Sequence, residues 1–382
     1  MSRRARLALV ALVVGLAAAE TGGRFLLAQS WRPAPPFARG SEQAAWLERA
    51  ERELADGREA PGYSTFDAQL GWCVRRDYEG PEGKIHIDSA GRRTRRAYAD
   101  PLALGVRRWA AVGESFTFGE EVSDEEAWPA RIEAAEPDLE LWNFGVGGYG
   151  TDQALLRLQR DVRGPLDGVL VGLMSENIGR NVNRYRPLWY PDAQPAAKPR
   201  YVLGAGGLEL VPEPFATRAA FVAAVRDGSV FAALAEHEHW DDGMPPRLLA
   251  WSGCARFLFA QLAYRARAPE RLWRDVEGEP FQTTLALLGA FKGIARGLGT
   301  ERVVVVLFPA RADLRAALAG EPRPWATLLE RLPGLELAFV DCTDALLPEA
   351  RTAGVDTLFR ESHYSPRGNE LVAAVIRAAL AP

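Results

Sequence analysis

The most constraining feature of the 382-residue sequence is a serine placed in a tight turn directly after a short apolar run. The run covers residues 108–112, and Gly113, Glu114 and Ser115 follow it at once. Such a run is typical of a strand, and a glycine-led turn at its end leaves a hydroxyl and free backbone N–H groups at the edge of a sheet. The pattern predicts an α/β chain whose reactive groups lie at the carboxyl ends of its strands.

Strand and helix patterns alternate along the rest of the chain. The predicted strands cover residues 108–112, 139–144, 167–174, 302–308 and 335–340. The third of these is apolar throughout, as expected of a parallel strand that is covered on both faces. A helix is predicted between the first two strands, over residues 124–135 behind a Ser123–Glu126 capping box. Another helix is predicted after the last strand, beginning at Pro366. We therefore predict a doubly wound, parallel, five-stranded sheet in one enlarged α/β domain.

Four stretches together resemble a known family. They are, in chain order, Gly113–Gly119, Asn143–Gly150, Ser175–Asn177 and Glu361–Asn369. Their order and spacing resemble the four motif blocks of the SGNH or GDSL hydrolases, in particular the membrane-anchored bacterial type with a long insertion before the fourth strand. Glu114 stands where the family has aspartate, and the third block keeps only its asparagine, Asn177. The resemblance implies a flavodoxin-like, SGNH-hydrolase-type fold and serine hydrolase chemistry on ester bonds.

A serine hydroxyl needs a base within hydrogen-bond reach, and the base needs an orienting acceptor. His363, in the last block, is the expected base for Ser115. The acid is either Glu361, two residues upstream of the histidine and preferred here, or Asp356 on the other side of a predicted turn. The oxyanion hole implied by the resemblance consists of the backbone N–H groups of Ser115 and Gly148 and the side-chain amide of Asn177.

The N-terminal segment, residues 1–28, has the pattern of an export signal. Three arginines within the first six residues precede an uncharged apolar run from Leu7 to Ala19. This run is shorter than the roughly 20 residues that span a bilayer, and the alanines at its end could form a cleavage site. Residues 1–28 are therefore either a cleaved signal peptide or an uncleaved signal anchor. We expect an exported protein, anchored in the inner membrane and facing the periplasm, or secreted if the signal is cleaved.

We predict that the remaining chain divides into a linker, a small β extension and a hydrolase domain. We predict a stalk over residues 29–62 with an exposed helix at 44–56, an N-terminal β extension at 63–105, and a hydrolase domain at 106–382. A long insertion at 178–280 is either a lid that selects substrate or a structural elaboration. Because it begins directly after Asn177, we expect three of its residues to line the approach to the serine and bind substrate. They are Arg180, Tyr185 and Arg186.

Composition and charge narrow the range of partners. The formal net charge of −4 and the isoelectric point near 5.8 give no reason to expect a nucleic-acid partner. His237 and His239 lie in an acidic stretch, but on a helix two residues spaced two apart face different directions. We predict no metal site and no cofactor.

These observations lead to two hypotheses about function. The first is a serine esterase, O-acyl hydrolase or acyltransferase that acts on O-acyl esters, with acetyl as the expected acyl group. Its substrate would be an acylated small molecule or an envelope or exported carbohydrate. The alternative is a non-catalytic binding module that kept the SGNH fold, a hypothesis that the replacement of the family's aspartate by Glu114 supports.

Overall fold

The computed structural model describes residues 3–28, 41–190, 193–240, 246–249 and 251–380. The strands are β1 (Ser64–Asp67), β2 (Gly71–Val74), β3 (Tyr78–Glu79), β4 (His86–Ile87), β5 (Arg107–Val112), β6 (Leu139–Asn143), β7 (Gly168–Met174), β8 (Arg200–Gly204), β9 (Gly207–Val211), β10 (Val303–Phe308) and β11 (Ala338–Asp341). The longer helices are α1 (Arg3–Ala28), α2 (Ser41–Ala55), α3 (Ser115–Phe118), α4 (Trp128–Ala135), α5 (Thr151–Asp161), α6 (Asn177–Arg180), α7 (Arg186–Trp189), α8 (Arg218–Asp227), α9 (Val230–Leu234), α10 (Gly253–Ala266), α11 (Pro269–Arg274), α12 (Glu279–Gly297), α13 (Arg311–Leu318), α14 (Ala326–Leu329), α15 (Thr343–Ala353) and α16 (Pro366–Ala379). Short 3-10 turns cover Pro81–Gly83, Leu332–Leu335 and Val355–Leu358.

Five strands form the central sheet in the order β11-β10-β7-β5-β6, and every neighbouring pair is parallel. The predicted doubly wound, five-stranded α/β fold is therefore confirmed. The chain enters the sheet at β5, moves outward to β6 and then crosses back to β7. This reversal places the carboxyl ends of β5 and β7 side by side, at the switch point where sites of such sheets form.

Helices cover both faces of the sheet, which explains why the central strands are apolar at every position. Val305 of β10 faces α5 and α12 in one buried cluster. Its neighbour Val306 faces α4, α13, α15 and α16 in a second cluster on the opposite face. Alternate side chains of a strand point to opposite faces, so both sets must be apolar for both layers to pack.

One helix begins later than the sequence predicts. The helix expected at 124–135 begins at Trp128, because Pro129 lacks a backbone N–H and fits only in the first turn. The Ser123–Glu126 contact still forms, with the backbone N–H of Ser123 donating to Glu126 Oε2 at 3.1 Å. This contact closes a turn ahead of the helix. The helix that begins at Pro366 is confirmed, with Ser365 Oγ accepting the N–H of Gly368.

The N-terminal β extension packs on the loops that leave the central sheet. Its two small antiparallel hairpins, β1–β2 and β3–β4, share a buried cluster with Phe118 and Tyr149. Trp72 Nε1 donates to the carbonyl of Gly147 at 2.9 Å, and Tyr63 stacks on Phe118 with ring centroids 4.7 Å apart. The extension thus supports the chain on either side of the predicted nucleophile.

The N-terminal helices dock on the insertion. Trp46 of α2 meets Phe221 of α8 edge-on, and Glu53 pairs with Arg218. The prediction of an exposed helix in the stalk is wrong for the face of α2 that packs on α8, where Ala50 is buried. Residues 29–40 of the predicted stalk lie outside the described residues. Helix α1 packs against α10. None of the helices in the described part of the chain is both long and apolar enough to cross a membrane.

Candidate active site

Ser115 lies at the carboxyl end of β5 and begins the short helix α3. The turn needs Gly113, whose φ of 156° few side chains tolerate, and an added Cβ would collide with Thr117 Oγ1. Glu114 caps α3 by accepting the N–H of Phe116 at 2.6 Å, and burial raises the pKa of this carboxyl group. The serine hydroxyl is therefore held at the edge of the sheet by a fixed backbone.

His363 reaches this serine from the loop before α16. Its Nε2 lies 2.8 Å from Ser115 Oγ, a normal hydrogen-bond distance. The imidazole also packs against Phe116, with ring centroids 5.1 Å apart. The predicted pairing of serine and histidine is therefore present in the structure.

The carboxylate that contacts the imidazole belongs to Glu121, a residue outside the four motif blocks. Glu121 Oε1 lies 2.8 Å from His363 Nδ1. The same carboxylate accepts the hydroxyl of Ser362 at 2.8 Å and the backbone N–H of Glu361 at 2.9 Å. Burial raises the pKa of Glu121, but the hydrogen bonds from His363 and Ser362 outweigh it and lower the pKa to about 2. The group is an anion at any physiological pH.

Neither predicted acid lies in this position. Glu361 donates its backbone N–H to the Glu121 carboxylate, and it is the Glu121 carboxylate that contacts the imidazole. Asp356 is turned away and held by Arg311 and Arg315. The assignment of the orienting acid to Glu361, with Asp356 as the alternative, is corrected to Glu121 on these contacts.

The other two residues predicted for the oxyanion hole, Gly148 and Asn177, lie in the chain that follows β6 and β7. Gly148 has a φ of 80° and lines the cavity next to Ser115 and His363. This backbone conformation favours glycine, and an added Cβ would also displace the Arg186 guanidinium. Asn177 is buried beneath the cavity wall, with its Oδ1 accepting the N–H of Met174 at 2.8 Å and its Nδ2 donating to the carbonyl of Tyr149 at 3.2 Å.

A cavity of about 700 Å³ opens above the serine. Its wall includes Ser115, His363, Gly148, Met174, Tyr63, Tyr190 and six charged residues, Glu120, Glu176, Arg180, Arg186, Arg311 and Glu361. The start of the insertion therefore lines the approach to the site through Arg180 and Arg186, as the sequence predicts. Tyr185 is different: it is only 3% exposed, and its ring packs against Phe231 at 5.4 Å. The prediction that Tyr185 binds substrate is corrected, because its apolar ring is buried in the core of the insertion.

His237 and His239, in the acidic stretch, make structural contacts. His239 Nδ1 contacts Glu279 at 2.6 Å, and the carbonyl of His237 accepts from Arg200. Within the described ranges, no three His, Cys, Asp or Glu side chains are arranged to hold a metal ion. The contacts of this stretch join the insertion to the start of α12.

No family model matches the chain, and no curated protein matches its sequence. Among solved structures, the chain is similar to a member of the lipolytic protein G-D-S-L family from Veillonella parvula DSM 2008, with 11% identity, 72% of this chain and 98% of that chain covered, and a TM-score of 0.35. It is also similar to LAE5, an alpha/beta hydrolase enzyme from the metagenome of Lake Arreo, Spain, with 13% identity, 72% and 94% coverage, and a TM-score of 0.39. At these identities and TM-scores the likeness carries no argument about activity, which the residues of the site themselves must supply.

Proposed function

We propose that the protein is a serine hydrolase of the SGNH/GDSL type that cleaves O-acyl esters. The observation that carries this proposal is the hydrogen-bonded series Ser115, His363 and Glu121, in which both links measure 2.8 Å. A nucleophile, a base and an orienting anion in this order are the arrangement that acyl transfer requires. The series opens into a cavity large enough for an ester, so the reacting groups are accessible to substrate.

In the proposed mechanism Ser115 Oγ attacks the acyl carbon and His363 Nε2 takes its proton. The imidazolium that forms is stabilised by the Glu121 carboxylate at Nδ1. The negative oxygen of the tetrahedral intermediate would be bound by the N–H groups of Ser115 and Gly148, which line the cavity; Asn177 can join them only through the amide N–H that does not donate to Tyr149. Loss of one such donor typically lowers turnover by about 10²–10³. His363 then protonates the leaving alcohol and activates water, or a second hydroxyl in the case of an acyltransferase.

For the substrate, we propose an acetyl ester of an envelope or exported carbohydrate. Tyr63 and Tyr190 line the cavity, and aromatic rings of this kind stack on the apolar faces of sugars. The cavity is wide enough to admit a sugar unit beside the ester. Acetylated xylan fragments and 4-nitrophenyl acetate, compared by kcat/KM, test this choice: preference for the small ester alone would contradict it.

Labelling with a fluorophosphonate tests the reaction class. The wild-type protein should become labelled, and the label should disappear in Ser115→Ala and fall strongly in His363→Ala, because the base that activates the serine is lost. Ser229→Ala, which removes an exposed serine that does not line the cavity, should label as the wild type does. Unlabelled wild-type protein that nevertheless binds an acylated carbohydrate would support the alternative, a non-catalytic binding module.

We also propose that α1 and α10 together attach the exported protein to a lipid bilayer. The two helices are joined at one end, where Glu20 accepts the N–H groups of Gly253 and Cys254 and Arg24 donates to the carbonyl of Trp251. Large apolar side chains are exposed on and next to both helices: Val10, Leu12, Val13, Val14, Leu16, Phe25, Leu248, Leu249, Trp251, Leu258 and Leu262. An exposed apolar surface of this extent is typical of attachment to a membrane interface.

Sedimentation with lipid vesicles tests this attachment. Leu258→Glu combined with Leu262→Glu should lower the vesicle-bound fraction of the full chain, because each change places a charge on the proposed contact face. Leu203→Glu alters an exposed leucine on the β8–β9 hairpin and should leave binding unchanged. Equal binding of all three proteins would contradict a role for α10.

A further inference from the structure

The guanidinium of Arg186 lies beside the proposed oxyanion hole. Its Nη1 donates to the carbonyl of Gly148 at 2.9 Å, so the charge is fixed against the residue whose N–H would hold the developing oxyanion. The side chain also approaches the ring of Trp72, 5.9 Å from the centroid. Arg186 is thus held at the cavity wall by two contacts, neither of which is with an anion.

The other two arginines of the cavity wall each have a carboxylate. Arg180 pairs with Glu176 at 2.7 Å, and Arg311 pairs with Asp356. In contrast, no carboxylate oxygen among the described residues lies within 4.0 Å of the Arg186 nitrogens. Beyond its hydrogen bond to the Gly148 carbonyl, most of the N–H donors of the guanidinium have no acceptor among the described residues.

A cation in this position is costly without a counter-charge. Removal of a charged group from water is unfavourable unless an opposite charge or several hydrogen bonds compensate. Burial and the nearby charge of Arg180 lower the pKa of Arg186 to about 10, so the group stays protonated at neutral pH while its charge is destabilised. An anion that entered the cavity would relieve this cost, and a guanidinium can bind a carboxylate, phosphate or sulfate through two parallel hydrogen bonds.

The cavity wall taken as a whole does not provide a general attraction for anions. Its acidic and basic side chains are equal in number: Glu120, Glu176 and Glu361 against Arg180, Arg186 and Arg311. Glu176 is already paired with Arg180, and Glu120 accepts the hydroxyl of Tyr63 at 2.6 Å. Among the described arginines of the wall, the one without a carboxylate partner is therefore Arg186, next to Gly148.

We propose that the substrate of this protein is an ester that also carries an oxyanion group, such as a carboxylate, phosphate or sulfate, and that Arg186 binds this group. The inference rests on the proposed esterase function and adds the substrate class. An uncharged ester would leave Arg186 without an anionic partner in the described part of the chain, whereas an anionic ester would supply one while the acyl carbon lies at Ser115. Arg186 is thereby assigned as a specificity-determining residue.

Matched pairs of esters test the proposal. The first pair, 4-nitrophenyl succinate and 4-nitrophenyl butyrate, differs by a carboxylate on the acyl side. The second pair, 4-acetoxybenzoate and its methyl ester, differs by a carboxylate on the alcohol side. The wild type should prefer the anionic member of at least one pair in kcat/KM. Arg186→Gln should lower kcat/KM for that ester by about 10- to 100-fold and for its neutral partner by much less, as expected for a lost charge-assisted hydrogen bond.

Two further variants separate charge recognition from support of the Gly148 loop. Arg186→Lys keeps a positive charge and should retain part of the preference for the anion. Arg367→Gln removes an exposed arginine of α16 that pairs with Glu349 and Glu370, and it should leave the preference unchanged. If Arg186→Gln lowers both members of a pair equally, or if the wild type prefers neither anionic ester, the anion subsite is excluded.

Binding to an inactive variant makes the result independent of turnover. Ser115→Ala should bind 4-nitrophenyl succinate in calorimetry more tightly than 4-nitrophenyl butyrate, and the double variant Ser115→Ala, Arg186→Gln should lose this difference. A failure of fluorophosphonate labelling with an intact binding difference would contradict the hydrolase proposal alone. Normal labelling without any binding difference would contradict the anion subsite alone.

Discussion

At the scale of single residues, the main difference between sequence and structure is the origin of the carboxylate at the histidine. Glu121 lies in the loop after α3 with a φ of 68°, a left-handed conformation that is uncommon for residues other than glycine. Its backbone carbonyl accepts Arg360 Nη1 at 2.7 Å, which ties the loop to the chain just before His363. The unusual backbone directs the carboxylate at the imidazole.

Replacement of this carboxylate by an amide is the sharpest test of its role. Glu121→Gln should lower kcat for 4-nitrophenyl acetate by about 10³–10⁴, because an amide can hold the ring but cannot stabilise the imidazolium. Glu361→Gln and Asp356→Asn should each leave kcat within about threefold of the wild type, since neither side chain touches the imidazole. A larger loss of kcat in Glu361→Gln than in Glu121→Gln would instead identify Glu361 as the acid that orients the imidazole.

The sequence was sufficient for the residues whose positions depend on local geometry. Ser115 and His363 each lie in a short motif at an element boundary, and both are where the motifs place them. Glu121 was missed because its contact joins positions 242 residues apart and depends on a left-handed backbone that no local pattern indicated. The one available signal was a pair of acids, Glu120 and Glu121, in the loop directly behind the nucleophile.

At the scale of elements, the loop that carries Glu121 is held by the N-terminal β extension. The guanidinium of Arg93 is buried and donates to the carbonyls of Phe118, Gly119 and Val122, and its Nε reaches Asp124 Oδ1 at 2.9 Å. One side chain thus fixes both ends of the loop. The extension therefore supports the loop that carries Glu121.

Arg93→Lys should therefore impair catalysis. An ammonium group cannot reach all of these acceptors at once, so the loop should lose its fixed position while the positive charge opposite Asp124 remains. We expect kcat for 4-nitrophenyl acetate to fall about tenfold with little change in KM, as for a residue that positions the acid. Arg96→Lys alters a neighbouring arginine that bonds Glu133 and the carbonyl of Leu139, away from the loop, and serves as the matched control. Identical kinetics in the two variants would contradict the support role.

Helices and strands could be predicted where the hydrophobic periodicity and the length of a segment indicate the same type of element. The five strands of the sheet are short apolar runs, and each lies within a few residues of its predicted position. Packing between distant helices was not predictable in this way. The sequence predicted that Trp46 of α2 belongs to an exposed stalk helix. In the structure its ring contacts Phe221, which lies in the insertion. The same limit applies to Tyr185, whose burial depends on Phe231 from a helix that the sequence could not place beside it.

At the scale of the whole molecule, buried carboxyl groups make stability depend on pH. Asp313 caps α13 by accepting the N–H of Ala310 at 2.9 Å and the hydroxyl of Ser175 at 2.8 Å. Burial raises the pKa of Asp313 to about 6, although both hydrogen bonds oppose this rise. The folded protein therefore binds this proton more tightly than the unfolded chain does. Its contribution to the free energy of unfolding is present below the unfolded pKa and is lost as pH rises through 6.

Asp313→Asn should remove this dependence. Between pH 5 and pH 8 the free energy of unfolding of the wild type should fall by about 1 kcal/mol more than that of the variant, measured by urea unfolding at both pH values. Glu213 has a pKa that burial raises to about 7, so it adds a similar fall to both proteins and does not affect the difference. Asp344→Asn, at an exposed position on α15, should follow the wild type. Parallel pH curves for the wild type and Asp313→Asn would exclude this role.

The position of Glu121 also affects how active relatives of this chain would be recognised in an alignment. A search pattern that demands an acid just before the histidine accepts this chain because of Glu361, whose side chain does not touch the imidazole. The same pattern would discard a homologue that kept Glu121 and lost Glu361, and it would retain one that had lost Glu121. If Glu121 has the proposed role, the alignment column that separates competent from degenerate homologues is that of Glu121, shortly after the nucleophile, and not the one beside the histidine.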